Sequence, residues 1–117
     1  MWRLTETLRQ LEEAGDGSVV LELIDSFQED TASRLQRLRD AVARLDAARV
    51  AAEAHTMQGS ASQMGADALA ALCRAVEAGA PARNWPELQR QVKQAEVDFA
   101  EVSAGMSEYV KARRRTG

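Results

Sequence analysis

The stretch AHTMQGSASQMGA, from Ala54 to Ala66, holds the only histidine of this chain, His55, among mostly small residues. On a helix of about 100° per residue, Val50, Ala54, Met57, Ala61 and Met64 form one narrow apolar stripe. His55 falls roughly 150° from the centre of that stripe and is expected to face solvent. Ala48, Ala51, Ala52, Gly59 and Ser62 share its face, and all are small. Its neighbours three or four positions away are Ala51, Ala52, Gln58 and Gly59. A mid-helix glycine costs about 1 kcal/mol relative to alanine. One turn beyond an exposed imidazole, it lets another molecule approach the ring. The alternative is a plain exposed histidine on an alanine-rich helix.

A neutral imidazole can attack an electrophilic phosphorus or acyl centre through its free ring nitrogen. The residues for a self-sufficient enzyme are missing from the sequence. Metal sites usually need several ligands, and there is no second histidine. Cys73 lies in the apolar run LAALCRAVE and reads as a buried small hydrophobe. Nothing suggests the pocket and oxyanion hole of a Ser-His-Asp triad. No GxxxxGK[ST] loop is present to cradle nucleotide phosphates. The chain is expected to offer a nucleophile on a flat platform, with a large partner bringing the electrophile and the catalytic apparatus.

The elements that must position His55 are helical. Ala, Leu, Glu, Arg and Gln dominate, and both prolines, Pro81 and Pro86, fall in one short segment. A short first helix would carry Leu4, Leu8 and Leu11 on one face, and AGDGS would break it. Ser18 is read as the N-cap of a long second helix reaching about Leu45. Its core-facing stripe is Val20, Leu23, Ile24, Phe27, Thr31, Leu35, Leu38, Val42 and Leu45. Asp46 would cap a third helix, from about Ala47 to Met64, with Gly65 as its C-terminal cap. Asp67 would open a fourth, with Leu69, Leu72, Cys73 and Val76 inward and Gly79 as its stop. APARNWP is the longest turn-like linker, and Asn84 with Glu87 resembles a capping box. The last helix would carry Leu88, Val92, Ala95, Phe99, Val102, Met106 and Tyr109 or Val110, with Gly105 inside it. Four substantial helices with short connections predict an all-α, antiparallel up-down four-helix bundle, with a short extra N-terminal helix over one end or flank.

Bulk composition agrees with one domain over residues 1–117. Hydrophobic residues are 45% but aromatic ones only 4%, so the core is expected to be Leu, Val, Ala and Met. A net charge of −3 argues against nucleic-acid binding, and Arg113 to Arg115 read as a solvated tail. With no signal peptide and no apolar run near the ~20 residues of a membrane span, no membrane association and a cytoplasmic location are expected.

The chain resembles a known family. AHTMQGSASQMGADALAALCRAVE is similar to the signature of histidine-containing phosphotransfer (HPt) domains. His55, Met57, Gly59, Ser60, Ala61, Met64 and Gly65 fit position by position, as do Leu72, Cys73 and Glu77. LELIDSFQEDTASRLQRLRDAV is similar to the family's long preceding helix. The resemblance implies that His55 accepts a phosphoryl group from a receiver-domain aspartate and passes it to another. It implies a phosphocarrier with no kinase site and no cofactor of its own, Mg2+ belonging to the receiver. The partners implied are receiver domains of response regulators and hybrid histidine kinases, with docking on Ala48, Ala51, Ala52 and Ser62. A monomer suffices for this, and Met1 with the full helix count suggests a stand-alone protein. Gln58 and Gly59 would neighbour the phosphoryl group. The family usually has Lys at the position of Gln58, and a neutral amide there is expected to alter transfer rate or phosphohistidine lifetime.

Three other classes are weaker fits. The phosphoacceptor domain of a sensor kinase would have an acid directly after the histidine and a proline soon after, but Thr56 follows and no proline occurs before Pro81. A degenerate, non-transferring HPt-like adaptor is kept open by Gln58. A haem or metal site is disfavoured because Met57 and Met64 point to the core while His55 points out.

Overall fold

The long second helix forms along most of the predicted stripe. A computed structural model describes residues 2–15 and 17–116. Its helices are α1 (Glu6–Ala14), α2 (Ser18–Ala43), α3 (Ala47–Gln63), α4 (Asp67–Gly79) and α5 (Trp85–Thr116), with a 3-10 turn at Ala80–Ala82 between the last two. No strand occurs among the described residues. α2 packs on α3, α3 on α4, α4 on α5 and α5 back on α2, which closes a four-helix ring, and α1 lies on α2. The 32 residues of α5 span about 48 Å at the helical rise, which sets the long axis of the 48 × 21 × 19 Å molecule.

The core is the aliphatic one expected from composition. Val20, Ile24, Leu38, Val50, Met57, Leu69, Cys73, Val76, Leu88 and Met106 are all buried. Some residues of the predicted stripes are not. Leu23 is 38% exposed and Leu45 56%, and Leu11 of α1 is 41% exposed.

Leu45 lies outside the helix because α2 ends earlier than the stripe suggests. The amide of Leu45 bonds to the Val42 carbonyl at 3.1 Å and that of Asp46 to Ala41 at 2.9 Å. These two bonds form a Schellman motif, with Leu45 in the left-handed position at φ 58°. Leucine there hides a stop that glycine would have announced. The same motif ends α3, where Gly65 takes φ 74° and the Ala66 amide bonds to Ala61 at 2.8 Å.

The starts of the helices divide similarly. Asp46 caps α3, its carboxylate accepting from the Arg49 amide at 3.0 Å. Asn84 accepts from the Glu87 amide at 3.3 Å, the forward half of a capping box. Ser18 is not the cap of α2. That position falls to Gly17, whose φ of 84° suits a residue without a Cβ. Asp16, within the predicted break, lies outside the described residues. Much of APARNWP is helical: only Arg83, at φ 57°, and Asn84 stand between the 3-10 turn and α5.

Trp2 fastens the N-terminal segment to the bundle. Its indole N–H donates to the Met64 carbonyl at 2.7 Å, capping the C-terminal end of α3. Its ring meets Tyr109 edge-on at 6.0 Å. Gly105 makes room for it, since a Cβ there would stand 3.0 Å from the Trp2 Cβ.

Candidate functional site

Helix α3 is held from its inner side. Val50, Ala54, Met57 and Ala61 have no measurable exposure, so the helix cannot roll about its axis without opening the core. Glu53 is also buried, unusually for a carboxylate. It is satisfied by Arg34 at 3.0 Å and Arg37 at 3.3 Å from α2, and by Arg49 at 3.8 Å. Removing one side of such a network strands a charge, which is a strong constraint on the pairing of α2 and α3.

His55 faces out as the wheel predicts, with 69% of its side chain exposed. Its Nδ1 atom lies 3.0 Å from Oε2 of Glu77 on α4. A carboxylate only accepts, so the proton resides on Nδ1. In the neutral ring Nε2 is then the unprotonated nitrogen, carrying the lone pair. A shallow, open hollow beside the ring is lined by Ala51, Ala52, Thr56 and Glu77.

The remaining predicted site residues fall on the same face. Ala48, Ala52, Gly59 and Ser62 are exposed, and Ala51 and Gln58 are half-buried. A Cβ built on Gly59 meets nothing within 4 Å, so the space beyond it is open. Gln58 does not turn to the ring. Its Nε2 donates to Ser62 Oγ at 3.1 Å, one turn further along α3.

Glu77 is the neighbour of the ring that the residue pattern names only as part of a motif. α3 and α4 form an antiparallel hairpin about Gly65 and Ala66. His55 stands eleven positions before Ala66 and Glu77 eleven after it. Equal distance from a tight turn places the two side by side, and this was the legible signal.

Cys73 takes no part in the site. Burial pushes its thiol up to about 11, so it is protonated and inert near neutral pH. Among the described residues no group of three or more His, Cys, Asp or Glu could hold a metal ion. No helix there is long and apolar enough to cross a membrane.

A family model described as "Hpt domain" matches residues 22–109. The chain is 27% identical over 95 residues to histidine-containing phosphotransfer protein 2 of Arabidopsis thaliana, covering 79% of this chain and 61% of that protein. The crystal structure of histidine-containing phosphotransfer protein B (HptB) from Pseudomonas aeruginosa PAO1 superposes with a TM-score of 0.82 at 29% identity, over 96% of this chain and 95% of that one.

Proposed function

This chain belongs to the Hpt domain family, and from that membership we propose that it is a phosphorelay carrier whose phosphoacceptor is His55. The observation that carries the proposal is the geometry of the ring. His55 is exposed, its Nδ1 is tied to Glu77 at 3.0 Å, and the ground beyond Gly59 is open.

The chemistry follows from the tautomer. The Nε2 lone pair attacks the phosphorus of an aspartyl phosphate on a receiver domain. The Nε2–P bond forms as the acyl P–O bond breaks, and that electron pair leaves with the aspartate carboxylate. Nδ1 keeps its proton, so the ring gains positive charge in the step. Glu77 is placed to stabilise that charge and to hold the ring plane. Passing the group to a second receiver is the same step reversed. This chain contributes the nucleophile and its orientation, and Mg2+ would be carried by the receiver.

Docking would use the face of Ala48, Ala51, Ala52, Gly59 and Ser62, where small side chains leave room for the rim of a partner's active site. One copy of the chain suffices. The test is incubation with a phosphorylated receiver domain. The expected product is an acid-labile, base-stable phosphoryl label on the wild type and none on His55→Gln. A label on His55→Gln would overturn the assignment.

A further inference from the structure

A phosphoryl group on His55 brings about 1.5 to 2 negative charges to this surface. The ionised group already touching the ring is the Glu77 carboxylate, at 3.0 Å. The exposed face of α3 offers no counter-charge. The residues three, four and seven positions from His55 are Ala48, Ala51, Ala52, Gln58, Gly59 and Ser62, all uncharged.

The helices that frame the ring, α3 and α4, carry one cation each, Arg49 and Arg74. Arg49 pairs with the buried Glu53 at 3.8 Å, nearly two turns before His55. Arg74 is exposed and makes no hydrogen bond or ion pair among the described residues.

The position of Arg74 follows from helix geometry. It precedes Glu77 by three residues, so the two are neighbours on the surface of α4. On the wheel it lies about 60° from Glu77, on the outward side away from Cys73 and Val76. Because α3 and α4 are antiparallel, one turn back from Glu77 is level with one turn forward from His55. Arg74 therefore stands level with Gln58, about 4.5 Å along the bundle axis from the ring. The long arginine stem spans such a separation, and its planar fork matches two phosphoryl oxygens at once.

We propose that Arg74 is the phosphoryl ligand of the charged state, supplying from α4 the positive charge that the exposed face of α3 lacks. This rests on the relay reading above. Its guanidinium N–H groups donate to the oxygens of the group on Nε2 and transfer no proton. The bond exchange at phosphorus is the one already written, with Nδ1–H still on Glu77. Gln58, bonded to Ser62, is left as a bystander in the resting protein.

The test uses full-length wild type, Arg74→Gln and Arg74→Lys. Each is charged with phosphoramidate and, separately, by a phosphorylated receiver. Phosphorus NMR then reads the pH midpoint of the phosphoryl titration with no partner present. Arg74→Gln is expected to raise that midpoint by about half a pH unit, because a nearby cation favours the dianion. It is also expected to slow receiver transfer about tenfold, with Arg74→Lys recovering part of both. A role confined to docking would change the transfer rate and leave the partner-free midpoint unmoved, which would overturn the proposal. A wild-type protein that takes no label from either donor would remove the relay reading and this proposal with it. A labelled wild type whose midpoint equals that of Arg74→Gln would overturn this proposal alone.

Discussion

Oε2 of Glu77 lies 3.0 Å from Nδ1 of His55, across the hairpin that joins α3 to α4. The carboxylate selects the ring tautomer, and the tautomer decides which nitrogen is nucleophilic. Glu77→Ala removes the acceptor and lets the proton occupy Nε2. Phosphoryl transfer is expected to fall about tenfold, in line with the loss of one exposed charge-assisted bond. Nitrogen NMR of the imidazole should show the Nε2–H form gaining population. An unchanged tautomer ratio would remove this role from Glu77.

Gly59 separates stability from function. A Cβ there meets nothing within 4 Å of the protein itself, so Gly59→Ala is expected to stabilise the fold by about 1 kcal/mol through helix propensity alone. Gly59→Leu should fold as well as wild type but lose receiver transfer, because the bulk enters the space a partner needs. Thermal unfolding and transfer assays on both variants check the two halves. Full transfer by Gly59→Leu would mean that the partner approaches from elsewhere.

Gly105 is a glycine of the opposite kind. A Cβ there would stand 3.0 Å from the Cβ and 3.2 Å from the backbone nitrogen of Trp2. Gly105→Ala is expected to destabilise by about 1 kcal/mol, overpacking outweighing propensity. In a background lacking residues 1–3, which removes the Trp2 backbone and Cβ that crowd this site, the same change should stabilise, by about 1 kcal/mol, since only the propensity remains. Denaturant unfolding of the substituted chain, the truncated chain and the chain with both changes closes the cycle.

Leu45 holds a left-handed conformation, φ 58°, with 56% of its surface exposed. Little packing is lost by removing it. Leu45→Gly is expected to stabilise by about 1 kcal/mol through relief of that conformation, read as an upward shift in the thermal midpoint. A fall in the midpoint would show that the leucine stem contributes more than the strain removes.

Cys73 gives a pH signature. Its folded thiol is pushed up to about 11 by burial, whereas an unfolded one ionises near 8.5. The folded state therefore holds its proton longer. The associated stability is complete below the unfolded value and is lost as pH rises toward about 11. Native protein should resist a thiol-disulfide reagent at pH 8, and urea-unfolded protein should react at once.

Much of this site was legible because α3 is a regular helix. Once Asp46 and Gly65 fix its ends, the 3.6-residue period assigns every residue from Ala47 to Gln63 a direction. The outward turn of His55 and the small-residue face follow from that period, and the same period on α4 turns Cys73 inward. The failures lie where local signals are ambiguous or where contacts are distant in sequence. Leucine in a left-handed position disguised the end of α2 at Leu45. Gly17, rather than Ser18, took the start of that helix. Nothing in the sequence marks Glu53 as buried, because two of the three arginines that enclose it come from α2.

The sequence by itself determined the helices, their apolar faces and the solvent exposure of the single imidazole, because these depend on backbone periodicity and side-chain type. Only the tertiary structure decided which nitrogen of His55 is free, because that depends on Glu77, 22 residues away, being brought within 3.0 Å. It likewise decided that Gln58 bonds to Ser62 rather than to the ring, and that Gly105 exists to admit Trp2. Periodicity fixes the direction of a side chain on its own helix, whereas the partner it meets is set by the packing of another.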